Sequence, residues 1–501
     1  MKKEKKLTLV TLILMIFTSV FGFTNIPRSY YLMGYSAVPW YILSALLFFI
    51  PYAFMMAEYG AAFKNEGGGI YSWMEASVST KYAFVGTFMW YASYIMWMVN
   101  ISSSIWIVVS TAIFGKDTTS SWHLFGLNST QTMGFLGVLM IITITFTSTK
   151  GLEKITKITS IGGIAVTGLN LVLLLGSILI LALNGVEFAQ PVSNFKEIMT
   201  VSPNTAYQSL ISVISFVVFS IFAFGGIEVI GGLSDKTENA EKVFPKGVTM
   251  AAVIIAIGYA IGIFLCGVSA NWNEVLSSPN VHMGNVAYVF MENLGYKLGL
   301  GLGMSEYASV SLGLIISRYM GISMVLALVG AFFTLSYAPL KTFIKGTPKD
   351  MWPEYFNKEE NGMPVSAMWV QCFTVSVIII LVSFGGEGAA KFFSKLILMT
   401  NVAMTIPYIF IAAAFPAFKK KQHIKKHFEI YKNHKIVVLA TFCTTVTIIM
   451  ANAATIAAPY IESRDLESTL WMLAGPVIFI SAALWIYNRY ERKAAKIKAE
   501  A

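Results

Sequence analysis

Apolar runs of twenty or more residues recur along the whole 501-residue chain, and no other feature restricts its fold as strongly. A bilayer's hydrocarbon core is crossed by about 20 residues of α-helix. Spans of that kind lie near residues 8–33, 38–63, 84–112, 130–148, 158–184, 207–233, 247–270, 309–337, 364–384, 395–417, 436–460 and 468–487. Hydrocarbon offers no partner to backbone N–H and C=O groups, and barrel strands would be about ten residues of strict alternation. The expected fold is therefore all-α, a polytopic membrane protein with about 12 transmembrane helices. Only 12% of residues are charged, against about a quarter in soluble domains, which argues against a soluble enzyme. The first run follows Lys2, Lys3, Lys5 and Lys6, as in a signal peptide. It is too long for one, shows no small-residue cleavage site and is followed at once by another span, so retention is expected.

Charge placement orients the spans. With the N-terminus inside, the alternate gaps on that side hold 28 of the 36 basic residues, which by the positive-inside rule predicts a plasma or inner membrane protein with both termini cytoplasmic. The excess of ten positive charges sits in the gaps between apolar runs, where it faces lipid headgroups, and no nucleic-acid partner is expected. Cys266, Cys372 and Cys443 lie far apart within apolar runs and read as packing residues. No gap exceeds about forty residues, and no phosphate-binding GxxxxGK[ST] loop occurs. Asp235-Lys236-Thr237 lacks the glycine of a phosphorylated pump aspartate, and His423 with His427 reads as a solvated basic loop. No enzyme activity, metal or cofactor is expected, and any transport must draw on gradients.

Ionisable residues inside apolar spans cost roughly 2.5–3.5 kcal/mol each at mid-helix and so mark candidates for function. Three qualify: Glu58, Glu228 and Arg318. Glu58 has two readings, a carboxylate that binds facing backbone N–H groups or closes an inner gate, and an interfacial group in reach of Lys64. Arg318 is either a snorkelling arginine or part of a cavity wall. Glu228 follows Phe222-Ala223-Phe224-Gly225-Gly226, with Gly231-Gly232 a turn later. Paired glycines cost about 1 kcal/mol each relative to alanine within a helix, so this span is expected to break; close packing through small residues is the alternative.

A break frees N–H groups for a carboxylate and C=O groups for an ammonium, which suits an amino acid. The first span holds a counterpart in Phe17-Thr18-Ser19-Val20-Phe21-Gly22-Phe23, with Asn25 and Pro27 beyond. Breaks five spans apart predict a five-plus-five inverted repeat: residues 1–205 and 206–418, followed by 419–501 with two more helices and a short basic tail. Trp90, Tyr94 and Trp97 share one face of the third span and wall a cavity or serve packing.

Three segments resemble the amino acid-polyamine-organocation superfamily, and within it the glutamate/gamma-aminobutyrate antiporter branch. These are Phe49-Ile50-Pro51 through Ala57-Glu58 and on to Asn65-Glu66-Gly67-Gly68-Gly69-Ile70-Tyr71-Ser72-Trp73; Phe224-Gly225-Gly226-Ile227-Glu228; and Glu238-Asn239-Ala240-Glu241-Lys242 with Pro245-Lys246-Gly247. The resemblance implies a LeuT-like permease working by alternating access on an amino acid or amine, as a monomer or homodimer. Substrate would be held by Thr18, Ser19, Phe21, Gly22, Phe222, Phe224, Gly225 and Gly226, with Glu58 and Glu228 gating or coupling, and Trp90, Tyr94, Trp97 and Arg318 along the cavity. Departures are a first break with only Gly22, no lysine between Lys157 and Lys196, and an expected absence of a C-terminal plug. The missing lysine favours exchange, with proton-coupled symport or a non-transporting amino acid sensor as alternatives.

Overall fold

The computed structural model describes residues 7–63, 69–149, 155–192, 194, 199–228, 237–357, 360, 363–386 and 388–500. Lys64, the 65–68 part of the glycine-rich motif, Gly231-Gly232, Asp235 and Lys236 lie outside the described residues.

Among the described residues, ten helical stretches are long and apolar enough to cross a bilayer. They match the expected spans except the first, which is interrupted and runs on from Asn25 into the second, and the sixth, which leaves the helix in mid-span at Ala223. The first span divides into α1 (Leu9–Val20) and α2 (Asn25–Met33). The second is α3 (Ala37–Ser44) and α4 (Ile50–Ala62), joined through a π-helical turn at Ala45–Phe49. After α5 (Ile70–Ser77) come α6 (Thr80–Phe114), α7 (Ser129–Ser148) and α8 (Ile155–Leu183). The described part of the sixth span is α9 (Leu210–Ala223). Next are α10 (Ala240–Ser269), α11 (Val286–Gly301) and α12 (Glu306–Gly346). The rest are α13 (Glu354–Asn357), α14 (Val365–Ser383), α15 (Ala389–Lys420), α16 (His434–Ser463) and α17 (Leu466–Glu500). The helix α11 has no counterpart among the expected spans because its 16 residues carry too mixed a composition to read as spanning.

Helix starts follow local chemistry. Ser79, Ser209 and Ser305 each accept a hydrogen bond from a first-turn N–H, and Asn128 with Gln131 forms a capping box, satisfying donors that the helix itself cannot. Helix α10 packs on α1 and α4, while α6 packs on α12, α15 and α7. The broken helices thus lie in one group of helices and α6, α7, α12 and α14 in another. Large apolar side chains such as Leu175, Phe373, Leu439, Phe442 and Trp485 are exposed on the perimeter, where the bilayer replaces a protein neighbour. Cys266 and Cys372 are buried and all three cysteines are free.

Candidate substrate site at two helix breaks

The interruption of the first span is short. The Phe21 N–H still bonds the Phe17 carbonyl at 2.8 Å, but Phe21 itself is extended (ψ 91°), and the chain re-enters helix at Asn25. The sixth span ends its first half at Ala223, turns through Phe224 and Gly225, and reaches Gly226 at φ +107°. Only glycine adopts that conformation without strain. A Cβ on Gly226 would stand 3.2 Å from the Ser19 carbonyl oxygen, so the missing side chain is also what lets the breaks touch.

One hydroxyl joins the two breaks. The Tyr259 Oη on α10 accepts the Gly22 N–H at 2.8 Å and lies 2.9 Å from the Ala223 carbonyl and 3.2 Å from that of Val20. Asn25 Nδ2 is 3.4 Å away. A buried tyrosine needs a partner for its polar end, and peptide groups released from a helix need partners too; here each meets the other's need. Aromatic rings surround the junction: Phe21 lies 4.6 Å and Tyr41 5.3 Å from Tyr259, and Phe49 stacks on Phe224 at 4.4 Å. The π-helical turn sets Phe48 and Phe49 on this side of their helix.

Glu228 is 3% exposed and accepts the Gly226 N–H at 3.1 Å. Its carboxylate therefore occupies a backbone donor at the second break. Its polar neighbours are the Trp90 indole and the hydroxyls of Tyr408, Tyr52 and Tyr94. The Trp90 indole N–H and the Tyr52 hydroxyl are buried without a hydrogen-bond partner at good geometry. Trp90 and Tyr94 meet edge to face at 5.1 Å, and Tyr52 lies 5.3 Å from Tyr408. Among the described residues no lysine or arginine pairs with Glu228.

Glu58 occupies a second polar centre. It is fully buried and accepts Lys419 Nζ at 2.8 Å and the N–H groups of Ile430 and Tyr431 at 2.7 Å each. Lys419 also bonds Glu429 at 2.6 Å. The backbone-binding reading of Glu58 describes this geometry, although the N–H groups come from the loop between α15 and α16.

The structure therefore brings Ser19, Phe21, Gly22, Phe224, Gly225, Gly226, Glu228, Trp90 and Tyr94 together. For Thr18 only its backbone in the last turn of α1 is described. The Phe222 side chain packs toward Phe219 at 6.5 Å, and its carbonyl accepts the Gly225 N–H. Two residues expected along the cavity lie elsewhere. Trp97 packs on Phe332 at 5.6 Å, because the face of α6 it occupies turns toward α12. Arg318 is exposed at its side chain and bonds the Ile113 and Phe114 carbonyls at 3.3 Å each, capping the end of α6, where terminal carbonyls lack helical partners. Tyr259, Tyr52 and Tyr408 were missed by sequence reasoning. Their one signal is a hydroxyl within an apolar run, too common in membrane helices to single them out.

A helical membrane protein in which two interrupted helices meet around a buried carboxylate has the architecture of a secondary transporter. The chain belongs to the amino acid permease family, which matches residues 7–483. It is 55% identical over 493 residues to the inner membrane transporter YjeM of Escherichia coli strain K12, covering 98% of each chain. It is 23% identical over 510 residues to the aspartate/glutamate permease AcaP of Lactococcus lactis subsp. cremoris, again over 98% of each. With the glutamate/gamma-aminobutyrate antiporter of Lactococcus lactis subsp. lactis it shares 20% over 428 residues, 82% of this chain and 78% of that one. The protein is thus a multi-pass membrane transporter and not an enzyme.

Proposed function

We propose that this permease exchanges an amino acid or related amine across the inner membrane by alternating access, in the manner of glutamate/gamma-aminobutyrate antiporters. Residues 1–205 and 206–418 are the inverted repeats, 419–501 adds the last two helices, and both termini are cytoplasmic. The observation that carries the reading is the Glu228 carboxylate, buried where the breaks meet and surrounded by neutral donors. A bare buried carboxylate costs several kcal/mol, and a substrate ammonium is a counter-charge that none of the described residues supplies. Carbonyl groups to accept from the substrate ammonium are available at the end of α1, where the Ser19 carbonyl has no hydrogen-bond partner among the described residues. An empty carrier would have to return with the carboxylate unpaired, which favours loading at both faces and hence exchange.

Proton symport is the second reading, supported by the same carboxylate, since a proton would neutralise it for the empty return. The test is counterflow in proteoliposomes with the twenty L-amino acids, γ-aminobutyrate and agmatine. Exchange predicts saturable uptake only into preloaded vesicles and its loss in Glu228→Gln. Uptake into empty vesicles driven by an inward proton gradient would instead support symport. Binding, seen as thermal stabilisation, with no flux would identify a sensor, and neither binding nor flux for any compound would refute a role in handling amino acids.

A further inference from the structure

On the side of the breaks away from the chain termini, a narrow cavity lies between α2, α9 and α15. Leu32, Phe216, Phe219, Ser394, Leu398 and Asn401 line it. A water molecule's centre can range over about 20 Å³ there, room for one or two waters. Most of the lining is apolar, a few hydroxyls apart, and Asn401 supplies its one amide. Its side chain is 1% exposed, and neither amide atom has a hydrogen-bond partner. A buried amide left wholly unpaired is costly, and native interiors rarely keep one without a use.

Its position on α15 gives that use a direction. Ser394, Asn401 and Tyr408 are spaced by seven residues, so they share one helix face at intervals of roughly 10 Å. At the inner end of this row, Tyr408 neighbours Glu228, and its hydroxyl would collide with a Cβ on Gly225. At the other end Ser394 borders the cavity. The row thus runs from the outer cavity to the carboxylate at the breaks, and its middle member is the unpaired amide.

We propose that Asn401 is a substrate contact on the outer approach, a specificity-determining residue that holds an incoming amino acid before it reaches Glu228. The inference rests on the transport reading above. An amide supplies one donor and one acceptor group: Nδ2–H donates to the substrate carboxylate, and Oδ1 accepts from its ammonium. A zwitterion satisfies both, whereas an apolar solute satisfies neither. Parting of α2 and α9 from α15 admits the substrate, since the cavity as it stands holds only water-sized guests.

The test compares uptake by intact cells, which present the outer face, with uptake by inside-out vesicles. The probe is whichever labelled compound of the panel above gives the largest counterflow in the wild type. Asn401→Leu should raise KM at the outer face at least tenfold and leave the inner-face KM and the maximal rate within twofold. Asn401→Gln, which keeps both amide functions, should recover most of the loss. Equal changes at both faces would show a structural role and overturn the proposal. So would an unchanged outer KM, with or without a gain in thermal stability, since the amide would then be a packing defect filled by water. A wild type that exchanges nothing would overturn the transport reading itself, a result distinct from a transporting protein insensitive at Asn401.

Discussion

Adjacent glycines at the second break should fail for different reasons when given a side chain, and the difference tests the site's geometry. At Gly226 the obstacle is the backbone. An L-residue held at φ +107° costs about 1–3 kcal/mol, and its Cβ would also press at 3.2 Å on the Ser19 carbonyl oxygen. With 1.4 kcal/mol per factor of ten, Gly226→Ala should lower the population of the competent break, and Vmax/KM for counterflow with it, by roughly 5- to 150-fold. No side-chain substitution nearby should restore it. At Gly225 the backbone is ordinary and the obstacle is the tip of a side chain, the Tyr408 hydroxyl. Without that oxygen the nearest atoms would be the Phe222 carbonyl at 3.1 Å and Tyr408 Cζ at 3.3 Å, tight contacts that small shifts relieve. Gly225→Ala should therefore impair exchange, and Tyr408→Phe in the same chain should restore it to the level of Tyr408→Phe alone. The assay is counterflow in proteoliposomes, with size-exclusion profiles to establish that each variant is folded. Wild-type kinetics for Gly226→Ala, or a double variant no better than Gly225→Ala, would refute this account of the break.

Two further predictions concern polar centres away from the breaks. Glu58→Ala leaves two peptide N–H groups bare and Lys419 with only the part-exposed Glu429, a loss toward the lower end of the roughly 3–5 kcal/mol for breaking a buried pair; the thermal midpoint in detergent should fall clearly, and an unchanged midpoint would show that the loop between α15 and α16 is held otherwise. His282 lies in the segment between α10 and α11, 3.8 Å from Asp117. Burial pushes its imidazole below the usual value, the Asp117 charge opposes this, and Arg28 adds to the lowering. The unfolded chain then takes up the proton first, so this contribution is complete above pH about 6.5 and declines as pH falls below it toward the folded value. His282→Gln should flatten the loss of thermal stability between about pH 6.5 and 5, and an identical slope in both proteins would remove His282 as its source.

Much of the architecture was legible because the bilayer acts on the chain locally. A span of about 20 apolar residues must satisfy its own peptide groups wherever it lies in the order of helices, so length and hydropathy suffice to place it. The breaks were legible for a related reason: glycine pairs and a nearby proline weaken a helix through the chain's own conformational preferences, whatever packs around them. Glu228 stood out by the cost of a carboxylate in hydrocarbon. Partnership is another matter. Nothing local to residue 259 says that its hydroxyl will bridge peptide groups at Gly22 and Ala223, and nothing at Glu58 names Lys419 and the Ile430–Tyr431 backbone, hundreds of residues away. The same limit applies to Trp97 and Arg318: a helical stripe shows which residues share a face, and only the packed bundle decides which way that face turns. Composition and periodicity determined that this chain is a helical membrane protein with two weak places in its spans. The tertiary structure decided what meets at those places, because a hydrogen bond between distant segments depends on how whole helices are packed and not on the residues beside either partner.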